Sequence, residues 1–353
     1  MKKHSFVALL LALACFAGRA EQPKLVIGAV YVGSVNDYGY NRSFHDALAQ
    51  VARDLPGVKI LEAENVPESA TVEGIMEGMI QQGAKLIFPT SFGYAASARK
   101  MAKRHKDVAF EYAGDGDASR NFGVFFGSTQ IAWYPMGVAA GRMTKTNKLG
   151  FVMGMPIGYA LGNVNAFQMG ARSVNKNVQT IVVVTGGWAD KAKEAGAANA
   201  LIDQGCDVVG MHVDSPATII QTVEARGCKS IGFQSTEARA LAPKGWITGL
   251  GFTWAPFFTQ VAKDVMAGKF RGEAVYQGLG GMVAIAPFGP SVSADVQKQV
   301  NDAAQKIIKG FNPFTGPIKD NRGSVVLPPG ASIGNDQMGG FDWYAEGIIG
   351  KVK

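Results

Sequence analysis

The chain has 353 residues, 47% of them hydrophobic and 18% charged, which is long enough for two domains and too apolar for a disordered chain. Beyond the N-terminus no apolar run reaches the roughly 20 residues that a membrane-spanning helix needs. The formal charge of +7 shrinks once that N-terminus is read, and it does not make nucleic acid a partner.

Met1-Lys2-Lys3-His4 is a short basic start, followed by an uncharged apolar stretch over residues 6–17 and by Gly18-Arg19-Ala20 ahead of Glu21. Small residues three and one before the cut give a secretory signal over residues 1–20, and the apolar part is too short to span a membrane. The expected location is therefore the periplasm. A buried N-terminal helix is a weaker reading. So is a lipid anchor through Cys15, because Ala12 stands where a lipobox usually has Leu. Removing Lys2, Lys3 and Arg19 from the 35 basic residues leaves 32 against 28 acidic ones, a net of +4.

The mature chain opens with a continuous apolar run at 24–31, read as a buried parallel strand. A helix is expected over 43–55, with Phe44, Leu48, Val51 and Leu55 at helical spacing, stopped by Pro56-Gly57. Strand 58–61, helix 71–82, strand 85–89, helix 94–105 and strand 108–112 follow, an order that implies a parallel sheet covered by helices. The pattern then repeats: strand 148–153, helix 162–175, strand 179–185, helix 191–204, strand 207–212, helix 216–226 and strand 229–234. The halves share local text, Met79-Ile-Gln-Gln-Gly83-Ala-Lys-Leu-Ile87 matching Leu201-Ile-Asp-Gln-Gly205-Cys-Asp-Val-Val209 at an offset of 122 residues. After Trp254 a helix at 256–269, one or two strands within 275–286, a helix at 291–309 and a Pro- and Gly-rich stretch at 312–340 complete the chain. The predicted organisation is an N-terminal α/β lobe over 21–145, with return segments from about 257–290, and a C-terminal α/β lobe over 146–256. Residues 257–353 then string crossovers, a helix and a strap between them.

Two similar lobes suggest a clamp, and ligands of parallel sheets sit at the carboxyl ends of the strands. The residues expected there are Asp37, Tyr38, Tyr40 and Asn41 after the first strand, Ser91 and Phe92 after the third, and Tyr112 at the end of the fourth. In the second half they are Tyr159, Trp188, Asp214, Gln234 and Trp254. Aromatics beside Asp, Asn, Ser and Gln suit a flat polar ligand: Tyr40 and Trp188 stack on a ring, while Asp37, Asn41, Ser91 and Asp214 read its edges and Trp254 walls the pocket. Singly, each aromatic is better explained as a packed loop anchor, and their recurrence at the strand ends is what points to the cleft; Asp37 is equally well explained as a turn former before the helix. Asp214-Ser215-Pro216 is also a good helix start.

Catalysis finds little support. The chain has no Gly-x-Ser-x-Gly elbow, no Walker loop and no Gly-x-Gly-x-x-Gly after its first strand. His212 with Asp214 resembles a base and its orienter but lacks a nucleophile. No zinc-type Cys/His spacing is present, and neither a metal nor a cofactor is expected. Cys206 and Cys228 each follow a Gly and precede a strand. On neighbouring strands their Cα atoms fall within disulfide range, about 4.4–6.8 Å, so a bond in an oxidising compartment is one reading and two buried thiols the other.

At Asp37-Tyr38-Gly39-Tyr40-Asn41, Gln82-Gly-Ala-Lys-Leu-Ile-Phe-Pro-Thr-Ser-Phe92, Ala140-Gly-Arg-Met-Thr144, Asn165-Ala-Phe-Gln-Met-Gly-Ala-Arg172, Trp188-Ala-Asp-Lys-Ala-Lys-Glu194 and Ala200-Leu-Ile-Asp-Gln-Gly205 the chain resembles the BMP (basic membrane protein) family. This family comprises solute-binding components of ABC importers and includes purine nucleoside receptors. The resemblance covers most of residues 24–290. It implies a type I periplasmic binding protein fold, a purine-like ligand, and membrane permease and ATPase subunits as partners of a monomeric receptor. It places the family's stacking aromatics near Tyr40 and on Trp188, and its base readers around Ser91-Phe92 and the end of the 110–114 strand. Where nucleoside-binding relatives carry Asp in a Gly-Val-Asp motif, this chain has Gly232-Phe233-Gln234, and Phe252 stands about where they have Lys. Both exchanges remove a charged grip on ribose hydroxyls, which favours a nucleobase over a nucleoside. A simple-sugar receptor of the same fold and a secreted nucleoside-processing enzyme are the alternatives.

Overall fold

The computed structural model describes residues 23–334, 337 and 339–352; the expected leader and Cys15 lie outside them. The first half runs β1 (Leu25–Val30), α1 (Tyr40–Asp54), β2 (Val58–Ala63), α2 (Thr71–Gln81), β3 (Leu86–Pro89), α3 (Ala95–Arg104), β4 (Ala109–Ala113) and β5 (Phe122–Gly127). α4 (Trp133–Met143) leads into β6 (Lys148–Met153), α5 (Gly158–Val174), β7 (Gln179–Val184), α6 (Lys191–Asp203), β8 (Val208–His212), α7 (Ala217–Ala225), β9 (Lys229–Gln234) and β10 (Trp246–Phe252). The remainder holds α8 (Ala255–Met266), β11 (Ala274–Gln277), β12 (Val283–Ile285), α9 (Ala294–Ile308) and the short β13 (Ile318–Lys319), β14 (Val325–Leu327) and β15 (Ile348–Ile349).

Among the described residues the strands form a sheet of order β11-β5-β4-β3-β1-β2 and a second of order β12-β10-β9-β8-β6-β7-β15. Apart from the added edge strands, the second sheet repeats the order of the first, and every pairing from β1 to β10 is parallel. β1 is buried along its whole length. Its Ile27 and Ala29 pack with Phe44 and Leu48 of α1 and Phe258 of α8, while Val26 and Val30 pack with Met76 of α2 and Met101 of α3. A strand with period-two side chains and helices on both faces has to be apolar throughout.

The shared text of the two halves is a shared helix ending. Gly83 and Gly205 hold φ of +93° and +90°, the left-handed region that L side chains rarely enter. Around them Gly83 donates to the Ile80 carbonyl and Ala84 to that of Met79; Gly205 donates to Ile202 and Cys206 to Leu201. This double closure satisfies the last helical carbonyls and turns the chain into the next strand.

Several boundaries differ from the sequence expectation. β5 was not anticipated. The 275–286 segment yields two strands that join different sheets, β11 beside β5 and β12 antiparallel to β10. α4 lies before the expected boundary at 145, yet Trp133 and Met136 are buried in the second lobe's core with Phe167, because α4 packs along α5 and α9. α8, in contrast, packs on α1 of the first lobe. The Cys206–Cys228 bond is not formed: both thiols are free. β8 and β9 are neighbours as expected, but the Cys228 thiol points to the carbonyls of Cys206 and Arg226, while Cys206 is buried in the core.

Candidate functional site

A cavity of about 460 Å³ opens where the carboxyl ends of the two sheets meet. Each of β1 to β10 delivers at least one lining residue at or beyond its end. From the first lobe come Tyr40 after β1, Glu68 after β2, Ser91, Phe92 and Gly93 after β3, Asp115 after β4, and Phe126 and Thr129 at and after β5. From the second come Met155, Ile157, Gly158 and Tyr159 after β6, Trp188 after β7, His212 and Asp214 at β8, Phe233 and Gln234 at β9 and Phe252 at β10.

The aromatic side chains form one connected arc. Phe126 meets Tyr159 with ring centroids 5.6 Å apart and Phe252 at 5.8 Å. Phe252 meets Phe233 at 6.0 Å, Phe233 meets His212 at 4.9 Å, and His212 meets Trp188 at 5.8 Å. Tyr40 joins through Phe126 and Phe252, each at 6.4 Å. Edge-to-face contacts (Phe126 with Tyr159 and Phe252, Phe252 with Tyr40, Phe233 with His212) and tilted ones between the others hold rings in place beyond their area burial, so the wall is preformed.

Polar groups interrupt the wall at fixed points. Glu68 is anchored by the Ser91 hydroxyl and by the Gly93 amide, both donating to Oε1, the latter at 3.0 Å, which leaves Oε2 for other partners. Burial, then the charge of Asp37, pushes the Asp214 carboxyl up to about 8, with the Gln234 amide opposing the shift. His212 is pushed down to about 3 by burial, so its ring is neutral at physiological pH. Its Nδ1 lies 2.8 Å from Asn163 Nδ2, and not on Asp214: the base–orienter pair weighed from the sequence is not assembled. Gln234 sits at φ +75°, held by its Nε2, which donates to the Val213 carbonyl at 2.7 Å. A strained residue at a cleft is sustained only by such surroundings.

The two lobes also touch at the cavity rim. The Tyr40 amide donates to the Asp214 carbonyl at 3.0 Å, and the Asp214 amide donates to that of Trp188 at 2.8 Å. A Cβ on Gly39 would press on the Asp214 carbonyl oxygen and Pro216 Cδ, inside van der Waals contact. Glycine at 39 is what lets the turn approach so closely.

Of the residues expected from sequence, Tyr40, Ser91, Phe92, Tyr159, Trp188, Asp214 and Gln234 line the cavity. The other five are placed elsewhere. Asp37 is a turn former: its carboxylate accepts from the amides of Gly39, Asn41 and Arg42 and from Asn41 Nδ2. It thereby starts α1 at Tyr40, three residues earlier than expected, and puts Asn41 inside the helix with its Oδ1 on the Gly33 amide. Tyr38, at φ +57°, packs against the second lobe's core. Tyr112 is buried and donates to the Phe92 carbonyl at 2.7 Å. Trp254 is fully buried behind the wall, stacked on Phe252 at 4.3 Å with Nε1 donating to Ser43 Oγ.

Sequence reasoning missed Glu68, Phe126, Thr129, Met155 and Phe233. The run Phe122-Gly-Val-Phe-Phe126 carried a strand signal that would have exposed Phe126; Glu68 carried none, since only its tertiary contact with Ser91 brings it in.

Two like α/β lobes meeting over an aromatic cleft define a bilobed ligand-binding protein of the periplasmic binding type. The chain belongs to the Bmp family, whose model, described as ABC transporter substrate-binding protein PnrA-like, matches residues 24–314. It is thus the substrate-binding component of an ABC transporter system, a family that works outside the cytoplasmic membrane. Among the described residues no helix is long and apolar enough to cross a membrane. The chain is 34% identical to a purine-binding protein of Brucella abortus (strain 2308), over 95% of this chain and 96% of that one. It is 29% identical to a Haloferax volcanii protein named as a putative ABC transporter glucose-binding protein, over 82% and 74% of the two chains. Solute-binding proteins of ABC transporter systems from Conexibacter woesei (TM-score 0.70, 21% identity, 81% of this chain and 97% of that one) and Aeropyrum pernix K1 (TM-score 0.70, 20% identity, 84% and 93%) share the fold.

Proposed function

We propose that the cleft binds a purine base or its nucleoside, without chemical change, and hands it to the membrane permease and ATPase subunits of an importer from the periplasm. The observation that carries this reading is the preformed arc of rings from Tyr159 to Trp188, which includes the His212 imidazole and is interrupted by the Glu68 and Asp214 carboxyls. Flat ring faces favour an aromatic heterocycle through stacking, and acceptors and donors in fixed positions read its edge. The chemistry of the Brucella relative's name points the same way. Gln234 and Phe252 at the far wall offer no charge to ribose hydroxyls, which favours the free base over the nucleoside.

Isothermal calorimetry of purified ligand-free protein against adenine, guanine, hypoxanthine, their nucleosides, ribose and glucose tests the assignment. Saturable binding of a purine, with the base tighter than its nucleoside, is expected. Binding of glucose or ribose with none of the purines would move the protein to sugar uptake. Conversion of a nucleoside during the titration would move it to enzymes.

A further inference from the structure

His212 reaches the cleft at the end of a chain of hydrogen bonds that begins in buried polar groups of two other elements. Thr129 and Asn163 are 1% and 0% exposed. The Thr129 hydroxyl donates to Asn163 Oδ1 at 3.0 Å, and Asn163 Nδ2 stands 2.8 Å from His212 Nδ1. The direction of this chain follows from satisfaction of its members. With the Asn163 amide reversed, the buried Thr129 hydroxyl would lose its Oδ1 acceptor and Asn163 would face it with a donor instead, and leaving a buried donor without its partner is costly. The amide nitrogen therefore faces Nδ1. A neutral imidazole that accepts at Nδ1 carries its proton on Nε2. Nε2 has no hydrogen-bond partner among the described residues, while the ring itself lines the cavity. Burial disfavours the charged ring, so protonation does not scramble the assignment at physiological pH.

We propose that His212 is a fixed hydrogen-bond donor of the cleft, its Nε2–H selecting ligands that present an unprotonated ring nitrogen or a carbonyl oxygen at that point. Asn163 and Thr129 are the positioning residues. The inference deepens the purine reading and rests on this cavity being the ligand site. Such a donor discriminates strongly, since a ligand with a C–H or N–H at that position leaves the imidazole proton unpaired when water is displaced.

Two measurements test it. Nitrogen-15 spectra of the imidazole in ligand-free protein, assigned with His212→Phe, report which ring nitrogen carries the proton; Nε2–H is expected, and Nδ1–H would overturn the proposal whatever the ligand. Calorimetry then compares adenine with its 1-, 3- and 7-deaza analogues. One deaza analogue should bind wild type about tenfold more weakly or worse. His212→Phe should lose the same factor with adenine and nothing further with that analogue. Equal binding of adenine and all three analogues by wild type overturns the proposal without requiring the variant to fold. Absence of any purine binding, with Nε2–H confirmed, defeats the purine reading alone and leaves the donor assignment standing.

Discussion

Replacing Asp214 by asparagine should change how the stability of the ligand-free protein depends on pH. The Asp214 carboxyl is raised from 3.8 to about 8, first by burial and then by the Asp37 charge. A raised acid is better bound to its proton in the folded state. Below pH 3.8 both folded and unfolded chains hold the proton, and the group's contribution is fully present. Between that value and about 8 the unfolded chain has released the proton while the folded one retains it, so unfolding stability falls as pH rises, levelling off above the folded value. The window spans roughly four pH units at about 1.4 kcal/mol each, an upper limit of about 6 kcal/mol. The side chain borders a cleft that water enters, which keeps part of the carboxylate's hydration, and about half of that limit, ~3 kcal/mol, is the expected effect. The asparagine amide of the Asp214→Asn variant has the same shape as the carboxyl and does not titrate. Urea unfolding followed by tryptophan fluorescence at about pH 4, 6 and 8 should therefore show the wild-type advantage over D214N declining by ~3 kcal/mol across the series. Parallel pH dependences for the two proteins would refute the assignment of a protonated Asp214 at neutral pH.

Trp188→Ala should weaken the purine that binds by about 1–3 kcal/mol, roughly tenfold or more, with little loss of melting temperature, since Trp188 is only half-buried. Trp254→Ala should do the reverse, lowering stability by about 3–5 kcal/mol as a buried ring is lost from behind the wall; a larger effect on affinity than on stability would return Trp254 to the contact surface. Gly39→Ala should hinder the approach of the Tyr40 turn to Asp214, so that small-angle scattering shows a larger radius of gyration than wild type and affinity drops; unchanged dimensions and affinity would mean that the rim contact is incidental. For the cysteines, reductant should leave the melting midpoint unchanged. Burial pushes the Cys206 thiol up to about 12, so a thiol reagent should modify Cys228 in the native protein and Cys206 only after unfolding.

The fold was legible because its signals are local and repeated. Apolar strands with helical runs between them, and the Gln-Gly turn at 82–83 and again at 204–205, state the doubly wound order twice. β5 was lost because the aromatic strand signal of Phe122–Phe126 is diluted by Gly123 and Gly127. α4 is absent from the sequence reading, and the boundary at 145 leaves its stretch in the first lobe because chain order carries no information about which core a crossover helix enters. Within the site, the rule that ligands sit at strand ends found the cleft, but one residue's register decided each side chain's fate. Asp37 spent its carboxylate on four local donors and so started the helix at Tyr40, turning Asn41 inward. Trp254 follows Phe252 by two residues and stacks behind it. At Phe233 and Gln234, strand alternation puts adjacent side chains on opposite faces, yet the left-handed Gln234 backbone ends the alternation and both reach the cavity.

The turn between β8 and α7 joins cavity-lining residues to the contact between the lobes. His212 supplies a ring nitrogen to the cavity, Asp214 supplies a carboxyl two residues on, and the Asp214 carbonyl accepts the Tyr40 amide of the opposite lobe. The Asp214 amide is in turn held by the Trp188 carbonyl, so the residues proposed to stack on the ligand and to read its edge are tied to the lobe contact through one short turn. A ligand bound as proposed, bonded to His212 and resting on Trp188, would fix that stretch in the geometry the Tyr40 amide requires. It can favour the closed form only through such differential contacts, and here they fall on the residues that make the lobe contact. On the proposed reading recognition and the lobe contact are linked: a ligand that fails at His212 would leave the turn unpaired and weaken the contact between Tyr40 and Asp214.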